Sequence, residues 1–259
     1  GALPRAGAGR ARPAAVRRAG RAARRQVLVL AGLDPSGGAG LAADVEALLA
    51  VGARALPCAT ALTVQGAGGA YGVEAVPPPL VRAQVEGLLA GRGVPVHAVK
   101  TGMLATAEIA AEVAALLGRG RLARAPLVVD TVLAASSGLP LLDAGGAPPG
   151  EALAPLLARA AVVTPNWPEL EALAGAALDG DEAAVAAARG LGARAVLVKG
   201  GHRAGAPVDL LVTRRAVLRL PGRRPGGGRP DAVDRGGRRA WHRARRPGSR
   251  ASRWPTGAE

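Results

Sequence analysis

Seven polar residues stand where apolar runs of this chain end: Asp34, Gln65, Lys100, Asp130, Asn166, Glu169 and Lys199. Asp130 and Glu169 are of a type and placement that suits Mg2+, held directly or through water. Each could equally cap the helix that follows it, a common use of acids at helix N-termini. Of 34 basic residues only Lys100 and Lys199 are lysine, and each closes an apolar run before Thr-Gly or Gly-Gly. A compact ammonium on a flexible stem suits a phosphate that moves during reaction, whereas Arg favours fixed bidentate pairing; two such positions are also within the reach of chance. His202 follows two glycines and reads as a surface residue before it reads as a base. His97 reads as structural, His242 has no assigned role, and Cys58 reads as a small buried hydrophobe.

The elements that must position these groups start with QVLVLAGLDPSGGAGLAADVEALLAV, Gln26 to Val51. Val27 to Ala31 is an unbroken apolar run, expected for a strand covered on both faces of a parallel sheet. Asp34, Pro35 and Ser36 form a turn, and Gly37, Gly38 and Gly40 remove side chains where a helix begins, with Leu41, Val45, Leu48 and Leu49 at helical spacing. A strand end meeting a helix N-terminus offers free backbone N–H groups to a polar or anionic ligand. The alternative is a tight turn packed against the sheet. The string is neither G-x-G-x-x-G nor a Walker A loop, since no lysine follows the glycines.

Further along, strands are expected over Ala55–Val64, Val96–Lys100, Leu127–Asp130, Ala161–Thr164 and Ala195–Lys199. Helices are expected over Pro77–Leu89, Ala107–Leu117, Leu153–Leu157, from the turn formed by Pro165, Asn166, Trp167, Pro168 and Glu169 through Leu173, and Glu182–Leu191. Asp209–Val212 and Ala216–Leu220 read as a β-hairpin. This alternation specifies a doubly wound α/β sheet, mostly parallel, whose ligands bind beyond the carboxyl ends of the strands.

Composition limits the alternatives. The core must be Ala, Val and Leu, because Phe is absent, and one cysteine excludes an internal disulfide and a cysteine-rich zinc site. No apolar run reaches the roughly 18 residues that span a membrane, and a cytoplasmic location is the expectation. The net charge of +15 belongs to the ends: residues 1–25 and 221–259 each carry +8, leaving −1 for residues 26–220. Three segments follow, a basic arm (1–25), a patterned domain (26–220) and an Arg/Gly/Pro-rich tail (221–259), with both ends compositionally disordered.

The strings AGLDPSGGAGLAAD (Ala31 to Asp44), TALTVQG (Thr60 to Gly66), KTGML (Lys100 to Leu104), VVDTVLAASSG (Val128 to Gly138), TPNWPELEAL (Thr164 to Leu173) and VLVKGGH (Val196 to His202) resemble, in order and spacing, motifs of the hydroxymethylpyrimidine and phosphomethylpyrimidine kinases of thiamine biosynthesis. The resemblance covers residues 27–220 and implies a ribokinase-like three-layer α/β fold with helices on both faces of a mostly parallel sheet. It implies that Gly32, Asp44, Thr63, Gln65, Met103 and Val132 surround a pyrimidine substrate. It implies that Asp130, Asn166, Glu169 and Lys199 face ATP, that Asp130 and Glu169 organise Mg2+, and that Lys199 stabilises the transferred phosphoryl group. A homodimer is a further expectation, and no membrane or nucleic-acid partner is expected.

The sequence departs from the family in one place. Members share a late Gly-Thr-Gly-Cys turn that opens a helix and forms an anion hole, and no such string follows Leu220. Gly226, Gly227 and Gly228 precede Arg-Pro and do not replace it. The abrupt change at Pro221 motivates the hypothesis of a shifted reading frame, which an intact alternate frame in the source DNA would support and the lack of one would end. Impaired turnover is therefore expected. The alternatives are a pyridoxal or pyridoxine kinase, an inactive pyrimidine-binding remnant, and a basic-armed nucleic-acid binder.

Overall fold

The structure, a computed structural model, describes residues 24–66, 69–90, 94–202 and 207–222. The basic arm, apart from Arg24 and Arg25, and the tail beyond Gly222 lie outside the described residues, as do His242 and the side chain of His202.

The elements run β1 (Gln26–Leu33), α1 (Gly40–Ala50), β2 (Arg54–Gly66), β3 (Gly69–Ala75), α2 (Pro78–Leu89), β4 (Ala98–Thr101), β5 (Ala105–Thr106), α3 (Ala107–Leu117) and β6 (Leu127–Val129). They continue with β7 (Leu142–Asp143), α4 (Pro149–Arg159), β8 (Val162–Val163), α5 (Trp167–Ala174), α6 (Gly180–Gly190), β9 (Ala195–Val198), β10 (Val208–Thr213) and β11 (Val217–Pro221). Nine strands form one sheet in the order β11-β10-β9-β8-β6-β4-β1-β2-β3. Pairs from β2 to β9 are parallel, and the antiparallel pairs lie at the edges, β2 with β3, β9 with β10 and β10 with β11. A chain that alternates strand and helix returns each strand to the same direction, so every crossover delivers its strand's carboxyl end to one side of the molecule.

Period-two alternation divides β1 between two cores. Leu28 and Leu30 join the large cluster packed by α2 to α6, while Val29 and Ala31 meet Leu41 of α1 on the opposite face. Helices thus lie on both faces, as the alternation requires. The stripe expected on α1 is narrower than its spacing suggested: Leu41 and Ala43 are buried, but Leu49 is half exposed. On the α1 side of the sheet Val128, Val162, Leu197 and Leu211 are only partly buried, and every residue of the edge strand β11 is exposed.

Local chemistry sets the helix starts. Pro78 and Pro79 occupy the first turn of α2, where a missing N–H costs nothing. Thr106 caps α3 by accepting from the Ile109 N–H at 3.3 Å. Gly175 ends α5 in the left-handed region, φ 68°.

Candidate active site

The turn after β1 is closed by its own side chains. Asp34 is buried; its Oδ1 accepts from Ser36 N at 2.8 Å, and Ser36 Oγ accepts from Gly38 N at 3.3 Å. The Gly37 N–H donates to the Asp34 carbonyl at 3.1 Å. The Ser36, Gly37 and Gly38 N–H groups are therefore committed internally, as in a tight turn packed against the sheet, while the start of α1 carries no side-chain cap. Gly40 serves that packing: it has φ 58°, and a Cβ there would collide with the Gly32 carbonyl oxygen.

Beside this turn lie most of the residues expected around the pyrimidine. A Cβ on Gly32 would stand 2.9 Å from Met103 Sδ, so the bare backbone lets the methionine approach. Thr60 fixes the Met103 segment by donating to its carbonyl at 2.5 Å. Thr63 Oγ1 donates to Leu33 O at 3.0 Å, and Gln65 Nε2 donates to Asp34 Oδ2 at 3.1 Å, which ties the long strand β2 to the end of β1. Val132 lines, with Gly102, Leu104, Asp130, Leu142 and Leu153, a hollow of about 10 Å3, about the size of one water probe and by itself far too small for a heterocycle.

A row of alternating charges crosses the carboxyl ends of the parallel strands. Lys100 Nζ lies 2.6 Å from Asp44 Oδ2 and 3.9 Å from Asp130 Oδ2, and Lys199 Nζ lies 3.1 Å from Asp130 Oδ1. Thr164 donates to the same Asp130 oxygen at 2.8 Å. Burial pushes the Asp130 carboxyl up, but Lys199, Lys100 and the Thr164 hydroxyl outweigh it and hold the group below the ordinary carboxylate range. Asp44 goes the other way: burial dominates and raises it in spite of Lys100, and the neighbouring Asp130 adds to the rise.

Glu169 is the third residue of α5 and closes a reciprocal cap with Asn166. Asn166 Oδ1 accepts from Glu169 N at 2.9 Å, and Glu169 Oε2 accepts from Asn166 N at 2.8 Å and from Thr131 Oγ1 at 3.3 Å. Burial raises its carboxyl above the ordinary range, with Lys199 and these hydrogen bonds opposing. The capping use weighed for this acid is thus realised at Oε2. Asn166 also bridges to Lys199, whose N–H donates to Pro165 O at 2.8 Å, so the cap and the charged row share an edge. Among the described residues no cluster of three or more metal-binding side chains exists.

Asp44, Asp130, Asn166, Glu169 and Lys199 therefore belong to one connected network, and Gly32, Thr63, Gln65 and Met103 to an adjoining one. The two touch at Gly102, where a Cβ would lie 3.1 Å from both Ala31 Cβ and Lys100 Nζ. Lys100, Thr131 and Thr164 were given no role by the resemblance. The place of Lys100 at the end of an apolar run marked it, whereas nothing local marks a threonine that bonds a residue more than 30 positions away.

The family profile described as phosphomethylpyrimidine kinase matches residues 34–227. The chain belongs to the phosphomethylpyrimidine kinase family. It is 42% identical over 202 residues to the thiamine biosynthesis bifunctional protein ThiED of Geobacter sulfurreducens, covering 76% of this chain and 40% of that protein. It is 40% identical over 188 residues to the hydroxymethylpyrimidine/phosphomethylpyrimidine kinase of Streptomyces coelicolor, covering 71% of this chain and 67% of that one. The chain thus spans about two-fifths of one relative and two-thirds of the other. Among solved structures, phosphomethylpyrimidine kinase of Clostridium difficile 630 superposes with TM-score 0.65 at 32% identity, covering 76% of this chain and 84% of that chain. A pyridoxal kinase of Staphylococcus aureus, solved with AMP-PCP and pyridoxal, superposes with TM-score 0.65 at 28% identity, covering 78% and 72%.

Proposed function

We propose that this phosphomethylpyrimidine kinase family member transfers the γ-phosphoryl group of MgATP to the hydroxymethyl group of 4-amino-5-hydroxymethyl-2-methylpyrimidine and then to its monophosphate, in thiamine diphosphate biosynthesis. The observation that carries the proposal is the continuous Asp44–Lys100–Asp130–Lys199 row, which joins a substrate side to a phosphate side at the strand carboxyl ends. Residues 26–220 form the kinase domain in this proposal, the flanking segments 1–25 and 221–259 lie outside it, and the protein works in the cytoplasm, as a homodimer.

Bound MgATP would supply the phosphoryl group and spread the charge of the transfer over metal and phosphate oxygens. Lys199, held by Asp130 until then, is the cation placed to follow that charge. Thr164 and Lys199 fix Asp130 Oδ1, and Oδ2, 3.9 Å from Lys100 Nζ, would accept from a metal-bound water; Glu169 offers Oε1, outside its cap. A donor set of one or two carboxylates completed by phosphates and water is the usual provision for Mg2+, so the residues present fit that ion. Asp44 and Gln65 supply acceptor and donor atoms for the ring edge, with Met103 and Gly32 shaping the apolar wall and Thr63 and Val132 beside them.

The testing experiment incubates the full chain with MgATP and either the hydroxymethylpyrimidine or pyridoxine and follows ADP release. Turnover of the pyrimidine in preference to pyridoxine is expected. With no Gly-Thr-Gly-Cys string in the chain, the rate should fall on the order of 10²-fold or more below an enzyme that has those donors. Preference for pyridoxine would favour the second reading, which the likeness to a pyridoxal kinase supports. Pyrimidine-induced thermal stabilisation with no ADP release would instead identify a binding remnant.

A further inference from the structure

Averaged over residues 26–220 the domain is nearly neutral, yet its charges are segregated. The strands and helices make their end opposite the candidate site from residues 24–26, 51–54, 87–90, 94–97, 118–126, 158–161, 188–195 and 213–217. These segments hold eleven arginines and neither Asp nor Glu. All but the half-buried Arg159 are exposed. Helix C-termini favour basic residues, which accounts for Arg159 and Arg189. It does not account for Arg25 and Arg194, which precede strands, for Arg54, which opens β2, or for Arg214 and Arg215, which form the β10–β11 turn.

These side chains form a row rather than a round patch. From Arg54 at the start of β2 to Arg214 after β10 the edge runs through six strand steps, roughly 30 Å at about 4.8 Å per step. It includes an open hollow of about 430 Å3 lined by Gly192, Ala193, Arg194, Thr213, Arg214 and Arg215. Arg189 helps shape it by donating Nε to the Thr213 carbonyl at 3.4 Å. Among the described residues no carboxylate pairs with Arg194, Arg214 or Arg215. The proposed phosphoryl-transfer site is at the other end of the strands, so these charges do not serve its triphosphate.

We infer that the amino-terminal edge of the sheet is a binding surface for a linear polyanion, the sugar-phosphate backbone of a nucleic acid, centred on the Arg194, Arg214 and Arg215 hollow. Guanidinium forks match phosphate oxygens in pairs. At about 3.4 Å per nucleotide, the row is as long as a strand of roughly nine nucleotides. In the sequence, residues 1–23 carry six further arginines and no acid. The inference stands independently of the kinase proposal.

Fluorescence anisotropy of the full chain with a labelled 20-nucleotide single strand, titrated with salt, tests it. Binding is expected to weaken steeply with salt, and R194E/R214E/R215E should bind at least tenfold more weakly with a salt slope smaller by about 2 to 3. The same charge removed at R5E/R10E/R12E should cost less. R194Q/R214Q/R215Q, with an unchanged urea midpoint, keeps the comparison valid if the glutamate variant misfolds. Equal losses from the edge and the residue 1–23 variants, or sedimentation with phosphatidylserine vesicles and no oligonucleotide binding, would overturn the inference.

Discussion

The ammonium of Lys100 meets the carboxylate of Asp44 at 2.6 Å, although one residue lies on β4 and the other on α1, 56 positions away. Both side chains are about one-fifth exposed, so removing one leaves its partner partly desolvated and unpaired. K100M should lower the unfolding free energy by about 1–3 kcal/mol, below the loss at a fully buried pair, and drive the Asp44 carboxyl further up. Urea unfolding at pH 7 measures the first effect, and an unchanged midpoint would show that the pair contributes nothing.

Asp130 and Glu169 should respond oppositely to acid. Asp130 is held below its ordinary value in the fold, so it adds stability above about pH 3.9 that disappears as pH falls through its folded pKa. Glu169 is raised, so its contribution is largest when protonated and declines as pH rises through its folded pKa, above about 4.3. D130N should flatten the acid limb of a stability–pH curve measured from pH 2.5 to 6, whereas E169Q should not.

At neutral pH E169Q keeps an acceptor for Asn166 N and removes a buried charge, so its urea midpoint should equal or exceed that of the parent chain. E169A loses half the cap and should cost about 1 kcal/mol. If Glu169 also assists Mg2+, E169Q should lose phosphoryl transfer while keeping its stability, a division that a purely structural role would not give.

Gly40 packs against the Gly32 carbonyl at positive φ. G40A should destabilise by about 1–3 kcal/mol through strain and collision together, and it should weaken pyrimidine binding because Gly32 forms part of the proposed pocket. G37A, at φ 70° with open space around it, should show the strain alone.

Cys58 is buried on β2, and burial pushes its thiol up to about 11. The native protein should react with a thiol reagent at pH 8 only as fast as it unfolds. Prompt stoichiometric labelling without loss of structure would contradict this burial.

The strongly patterned parts of the fold were legible in the chain. Ala107–Leu117 emerges as a helix over the span its periodicity gave, and Val81 and Val85 face the core as their spacing required. Strand β3 was not foreseen, because GAYGVEA carries two glycines and little apolar alternation, and pairing with β2 alone makes it a strand. The two-residue strands β5 and β7 are too short to leave a pattern. Most candidate site residues gathered as expected because parallel strands share one carboxyl end. Val132 lines a small hollow with Gly102 and Leu104, the two neighbours of Met103. His97 acts structurally, accepting from Gln26 N at 3.0 Å.

Among the described residues, the separation of guanidinium groups from carboxylates sets up a dipole along the strands. Near any strongly anionic partner such a particle arrives one way round, held by the foot of the sheet. The carboxyl ends of the strands then face open solution, so the proposed substrate side stays accessible to small molecules while the protein is tethered.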